Sequence, residues 1–182
     1  MNDLLTLLIL LLNIPTMPAQ TMVLEDFQST PKLEWRIIND GVMGGLSSSQ
    51  MTITPEGHGV FKGTVSLDNN GGFASTRGTL PTPIQQGTVL TIRVKGDGKT
   101  YSFRIQPNNR YKQVSYKLDF PTTTNEWEEI VLPLKEFIST WRGRLLSDIP
   151  PIVAEDIGQI GFLIAGRQEG EFALLIDWIS LN

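Results

Sequence analysis

The chain has 182 residues, 40% of them hydrophobic and 19% charged, and 15 Lys and Arg against 19 Asp and Glu leave a net charge of −4. That length fits one domain of about 100 to 200 residues, large enough to bury a core without disulfides or a structural metal. With no cysteine, thiolate zinc sites, iron–sulfur clusters, cysteine nucleophiles and disulfide scaffolds are excluded. The densest basic cluster is only Arg142-Gly143-Arg144, so the chain lacks the basic patch with which proteins grip nucleic acid phosphates, and no nucleic acid partner is expected.

In chain order, the first feature is the apolar run from Leu4 to Leu12, broken only by Thr6 and followed by Pro15 and Pro18. It is too short for a membrane span, which needs about 20 residues, and it fits the core of a signal peptide. Residues 1–20 are therefore expected to be an export or membrane-tethering segment, although Met1-Asn2-Asp3 carries no basic residue. That segment is the only membrane contact expected, and a periplasmic, exported or membrane-associated location is favoured over the cytoplasm. Residues 21–182 are expected to form one domain.

From Thr21 onward the hydrophobic pattern has a period of two, bounded by Gly, Pro, Asn and Asp, which is the signature of strands and hairpins. Strands are predicted at 22–27, 35–38, 50–54, 60–67 and 73–76. Three more follow at Leu90–Val94, Tyr101–Ile105 and Val114–Phe120, and these are expected to form one antiparallel meander with Arg93, Arg104, Gln106 and Lys117 on its polar outer face. That face is predicted to hold no aromatic ring. Further strands are predicted at 127–132, 157–164 and 172–179, the last two apolar on both faces and so expected in mid-sheet. Only Leu134–Ile138 is expected to make a short helical turn. Many short strands joined by turns define an all-β sandwich or jelly roll.

Few residues point to chemistry. The single histidine, His58, lies in the turn Pro55-Glu56-Gly57-His58-Gly59 and is expected at the solvent-exposed surface, so neither a two-histidine metal site nor a triad is expected. Glu25, Asp26 and Asp177 form a weak calcium candidate, with solubility of an edge strand the plainer reading. No spacing singles out a pair of carboxylates for glycoside hydrolysis, which needs them about 5 to 9.5 Å apart. The segment from Trp35 to Ser47 is the most unusual: Asp40-Gly41 turns the chain and Gly44-Gly45 permits tight backbone geometry. It lacks the spacing of a phosphate-cradling loop. What remains is a rigid loop presenting Asn39, Asp40 and Ser47, with Met43 either plugging the core or offering a soft contact surface.

Read as W-x-x-x-N-D-G-V-M-G-G-L-S, Trp35 through Ser47 resembles the opening signature of the complex I intermediate-associated protein 30 family. So do Phe61-Lys62-Gly63, the string Gly71-Gly72-Phe73-Ala74-Ser75-Thr76-Arg77, Gly96-Asp97-Gly98-Lys99-Thr100-Tyr101, Arg142-Gly143 and Gln168-Glu169-Gly170-Glu171-Phe172. The resemblance implies a galactose-binding-domain-like jelly-roll β-sandwich. It also implies a non-catalytic assembly factor or chaperone-like protein whose partners are subunits of respiratory NADH:ubiquinone oxidoreductase or another membrane complex, with no cofactor.

The signature residues expected to gather at one rim and bind a ligand or partner are Asn39, Asp40, Ser47, Arg77, Arg142 and Gln168. The competing expectation is that Asp40 pairs with Arg77 or Arg142 to pin loops to the sandwich edge. No catalytic residue and no metal ligand is assigned. The alternatives are an exported carbohydrate-binding module, with a glycan as partner, and, more remotely, a glycoside hydrolase.

Overall fold

The computed structural model describes residues 21–28 and 31–182. The expected leader at 1–20 lies outside the described residues. Thirteen strands follow one another in this part of the chain: β1 (Met22–Glu25), β2 (Glu34–Ile37), β3 (Ser48–Ile53), β4 (Gly59–Val65), β5 (Ala74–Thr79), β6 (Val89–Lys95), β7 (Thr100–Pro107), β8 (Ser115–Pro121), β9 (Trp127–Pro133), β10 (Ile138–Trp141), β11 (Arg144–Leu145), β12 (Ile157–Ile164) and β13 (Gly170–Leu181). Short 3-10 turns interrupt them at Asp40–Met43, Asp68–Asn70, Leu134–Glu136 and Ala154–Asp156. No helix among the described residues is long and apolar enough to cross a membrane.

Two antiparallel sheets face each other as a jelly-roll β-sandwich. The first runs β3-β4-β13-β6-β9, with β1 added beside β13, and the second runs β11-β10-β8-β7-β12-β5-β2. The two strands that are apolar on both faces, β12 and β13, sit in mid-sheet as their sequences demand. Alternation places Tyr101, Phe103 and Ile105 of β7, Ile160, Phe162 and Ile164 of β12, and Leu90, Ile92 and Val94 of β6 in the buried layer between the sheets. Aromatic rings knit that layer together: Phe103 meets Phe162 edge-on at 5.3 Å, and Phe61 meets Phe172 at 4.9 Å.

One expectation fails. Strand β6 does not form a meander with β7 and β8; it pairs with β13 and β9 in the first sheet, whereas β7 pairs with β8 and β12 in the second. The Gly96–Lys99 turn therefore carries the chain from one sheet to the other. Both sheets of a sandwich turn apolar residues inward, so period-two alternation identifies the inner face of a strand and says nothing about which sheet owns it.

The outer face of the first sheet also corrects two expectations, that no aromatic ring stands beside Arg93 and that His58 is at the solvent-exposed surface. Trp127 lies opposite Lys95 on the outward side of β9, so an aromatic ring does stand beside Arg93. The Arg93 guanidinium lies 4.9 Å from the ring centroid, the Lys95 ammonium 5.5 Å, and the His58 ring 4.9 Å. His58 is half-buried there, its Nε2 atom 3.8 Å from Asp177, which also pairs with Arg93.

Candidate functional site

The loop from Asn39 to Ser47 joins β2 of the second sheet to β3 of the first, and its shape follows from two side chains turned inward. Strand pairing continues past β2, with Ile38 N–H donating to Ser75 O at 2.9 Å and Asp40 N–H donating to Phe73 O at 3.3 Å. Asn39 Oδ1 then accepts from Ser49 Oγ at 2.8 Å and from Ser75 N–H at 3.3 Å. Asp40 is fully buried, and its carboxylate accepts the Ser47 hydroxyl and N–H, the Gly72 N–H at 2.7 Å and the Phe73 N–H at 3.2 Å. Burial by itself raises the Asp40 pKa, but these donors outweigh it and hold the carboxyl below the ordinary value of 3.8.

The two glycines of the loop do different work. Gly44 closes the Asp40–Met43 turn at φ +91°, a left-handed conformation that L side chains rarely adopt. Gly45 lies so close to Asp40 that a Cβ atom would come within 2.4 Å of the carboxyl carbon. The string Asn39–Ser47 and the string Gly71–Arg77, far apart in sequence, are thus one construction joined through the Asp40 carboxylate.

This construction aims Val42, Met43 and Leu46 at solvent, 75%, 64% and 59% exposed. Met43 therefore does not plug the core; it stands at the surface. An apolar tip on a rigid, hydrogen-bonded base is suited to docking, because little order is lost when a partner closes on it.

The six signature residues do not form a single cluster. Asn39, Asp40 and Ser47 come together as described. Arg77 points outward from β5, two residues beyond the Ser75 that Asn39 holds. Arg142 lies at the β10–β11 turn on the opposite edge of that sheet, exposed, with its guanidinium 5.0 Å from the Trp141 ring. Gln168 clamps the turn before β13, accepting from Thr100 N–H at 2.9 Å and donating to Thr100 O and Ala165 O. The loops are pinned by Asp40, but through Ser47, Gly72 and Phe73 and not through either arginine. The expectation of an Asp40 pair with Arg77 or Arg142 fails because Asp40 is buried inside its own loop, where N–H groups reach it first.

The calcium reading of Glu25, Asp26 and Asp177 is also corrected. Glu25 is buried and accepts only from N–H groups, Asp26 pairs with Lys32, and Asp177 pairs with Arg93. Among the described residues no group of three or more acids or histidines is arranged to hold a metal ion. The reading from sequence also missed Arg104 as a neighbour of Arg77; the signal was present in Gly161, whose role emerges only when the three strands are aligned.

The fold defines a class of architecture, an all-β jelly-roll sandwich of two antiparallel sheets. Solved structures agree on the architecture. The family 11 carbohydrate-binding module of the cellulosomal cellulase Lic26A-Cel5E of Clostridium thermocellum superposes with a TM-score of 0.67, covering 91% of this chain and 96% of that one at 15% identity. A CBM29-2 carbohydrate-binding module superposes with a TM-score of 0.58, covering 90% and 92% at 8% identity.

The family is shown by sequence: the family model for complex I intermediate-associated protein 30 matches residues 25–176, and the chain belongs to that family. Among curated relatives, the mitochondrial complex I intermediate-associated protein 30 of Mus musculus is 24% identical over 185 residues, 89% of this chain and 56% of that protein. The corresponding probable mitochondrial protein of Caenorhabditis elegans is 24% identical over 177 residues, 85% and 52% of the two chains. An uncharacterised protein of Schizosaccharomyces pombe is 27% identical over 168 residues, 80% and 76%. The chain spans about half the length of the two mitochondrial relatives.

Proposed function

We propose that the chain is a non-catalytic, assembly-factor-like protein that binds a protein subunit of NADH:ubiquinone oxidoreductase, or of a related membrane complex, through the tip of the Asn39–Ser47 loop. The observation that carries this reading is the exposed apolar triad Val42, Met43 and Leu46, held on a base of satisfied buried polar groups. Interfaces concentrate their energy in a few apolar anchors, methionine among the favoured types, and a preformed loop binds without a large cost in ordering. The family name supplies the class of partner. An N-terminal tether at residues 1–20 would keep the domain at a membrane surface, which suits the same role.

The test is co-purification of the full chain from its host membranes in mild detergent. Wild type is expected to bring down respiratory-complex subunits, and the triple variant Val42→Ser, Met43→Ser, Leu46→Ser to recover about 10-fold less or worse, as for loss of interface anchors. Its Tm should stay within about 2 °C of wild type, because these side chains leave solvent for no part of the core. Undiminished recovery by the triple variant rejects the loop as the docking element.

A carbohydrate-binding reading draws on the outward Trp127, since sugars pack on aromatic rings. That ring is already packed against His58 and overlaid by Arg93 and Lys95, which counts against it. A glycan-array hit with no protein partner would favour it over the docking role.

A further inference from the structure

Four cations stand in one row across the outer face of the second sheet. Arg36 of β2 lies opposite Arg77 of β5, Arg77 opposite Gly161 of β12, Gly161 opposite Arg104 of β7, and Arg104 opposite Lys117 of β8. The ends of the row are neutralised, Arg36 by Glu34 at 3.1 Å and Lys117 by Asp119 at 2.8 Å. The centre is not. Among the described residues neither Arg77 nor Arg104 pairs with a carboxylate, and Arg104 Nε donates only to the neutral Ser115 hydroxyl at 3.0 Å.

The gap between them is built into the backbone. A Cβ atom at Gly161 would come within 2.0 Å of Thr76 O, so β12 can carry no side chain between the two arginines. Beside that gap Arg77 and Arg104 also line a crevice with Gln106, Ser115 and Gln159 that is too narrow to admit a water molecule, so a ligand of the two guanidinium groups would lie on the sheet face and not in a cavity. Both arginines are only partly exposed. Burial, and then the charge of Arg77, push the Arg104 pKa down to about 10, and burial lowers that of Arg77. Two under-hydrated like charges raise the energy of the fold, and an anion placed between them removes that cost.

We infer that the outer sheet face over Gly161, between Arg77 and Arg104, is a carboxylate-binding site that takes an acidic side chain of a bound peptide. A planar carboxylate matches the donor fork of each guanidinium and can accept from both at once. A peptide is favoured over an acidic sugar because the outward residues of β5, β7, β8 and β12 include no aromatic ring on which a sugar would stack. Ser75, held by Asn39 at the base of the docking loop, precedes Arg77 by two residues on the same face of β5, which puts the two arginines on the strand next to that loop. This inference rests on the docking role proposed above: one acidic, partly apolar segment would lie across the loop tip and reach Arg77 and Arg104 with a Glu or Asp.

The experiment is titration of the purified chain, at low salt, with a blocked tetraglutamate peptide, its tetraglutamine counterpart and trigalacturonate, followed by calorimetry and amide chemical shifts. The glutamate peptide should saturate, shift amides of β5, β7 and β12, and weaken with added salt. The glutamine peptide, and the variants Arg77→Gln and Arg104→Gln, should each bind about 10-fold more weakly or worse, in line with loss of a charge-assisted hydrogen bond. Arg77→Lys and Arg104→Lys, which keep the charge and lose the fork, should fall between. Arg142→Gln, on the far edge of the sheet, should bind the peptide as wild type does.

The inference is overturned by absence of saturation, by arginine variants that bind undiminished, or by trigalacturonate binding more tightly than the glutamate peptide. A fall in Tm of more than about 5 °C in Arg77→Gln would mark a structural arginine and also overturn it. Because the glutamate peptide has no apolar residue for the loop tip, failure of the loop in co-purification and failure of the arginine pair in titration are separate results.

Discussion

Asp40→Ala is expected to lower the unfolding free energy by about 3 kcal/mol, or about 6 to 12 °C in Tm for a domain of this size. The substitution strips the partner from three buried or half-buried N–H groups, those of Ser47, Gly72 and Phe73, and from the Ser47 hydroxyl. Each unsatisfied donor costs about 1 to 3 kcal/mol unless water enters, and the loop opens to admit it. Urea unfolding of Asp40→Ala and Asp40→Asn measures this directly. The amide should lie between alanine and wild type, because one of its atoms becomes a donor facing donors.

The same carboxylate makes a pH prediction. Its folded pKa lies below its unfolded value of 3.8, since the hydrogen bonds outweigh the opposing effect of burial. Its contribution is therefore complete above the unfolded value and is lost as pH falls through the folded one. Acid unfolding of wild type should steepen below about pH 4, and in Asp40→Asn that steepening should shrink while losses from other carboxylates persist. An identical acid limb in both proteins would show that Asp40 is not the titrating clasp.

Glu25→Gln is expected to cost about 4 kcal/mol, or about 8 to 16 °C in Tm, nearly as much as Glu25→Ala. Glu25 is fully buried at the end of β1, and its two oxygens accept five N–H groups: Asp26, Phe27 and Lys32 on Oε1, Leu33 and the Trp35 indole on Oε2. An amide satisfies this set in neither orientation, because its NH2 group always meets at least two donors. The clasp also sustains Phe27 at φ +54°, a costly conformation for an aromatic residue, with its ring buried against Trp35 at 5.8 Å. Glu25 thus ties Asp26 and Phe27, just after β1, to Lys32 and Leu33, just before β2. Calorimetric melting of the two variants decides it, and a shift under about 3 °C for either would contradict the assignment.

Much of the architecture was legible because burial on one face of a strand writes itself as alternation. Val89–Lys95, Thr100–Pro107 and Ser115–Pro121 fall within a residue or two of their expected limits, and β12 and β13 lie in mid-sheet as their doubly apolar sequences require. Strands β10 and β11 were not legible, being short and held by pairing rather than by an apolar face: the buried residues of β10 are Ser139 and Thr140, and β11 is exposed. Of the site, Asn39, Asp40 and Ser47 were visible as an unusual string, while the grouping with Arg142 and Gln168 was not realised. Loops near one another in a family signature need not share an end of the molecule.

What the sequence by itself determined is the inner layer, the all-β class, the family and the position of the unusual loop, because each is encoded in local spacing or in strings of residues. The tertiary structure alone decided the rest: that β6 belongs to a different sheet from β7, that Glu25 and Asp40 are buried acceptors rather than surface acids, and that Arg77 and Arg104 face one another over Gly161. These depend on which strands become neighbours across long stretches of chain. A carboxylate's role is set by the donors that surround it, and an arginine's by the acid that is or is not beside it.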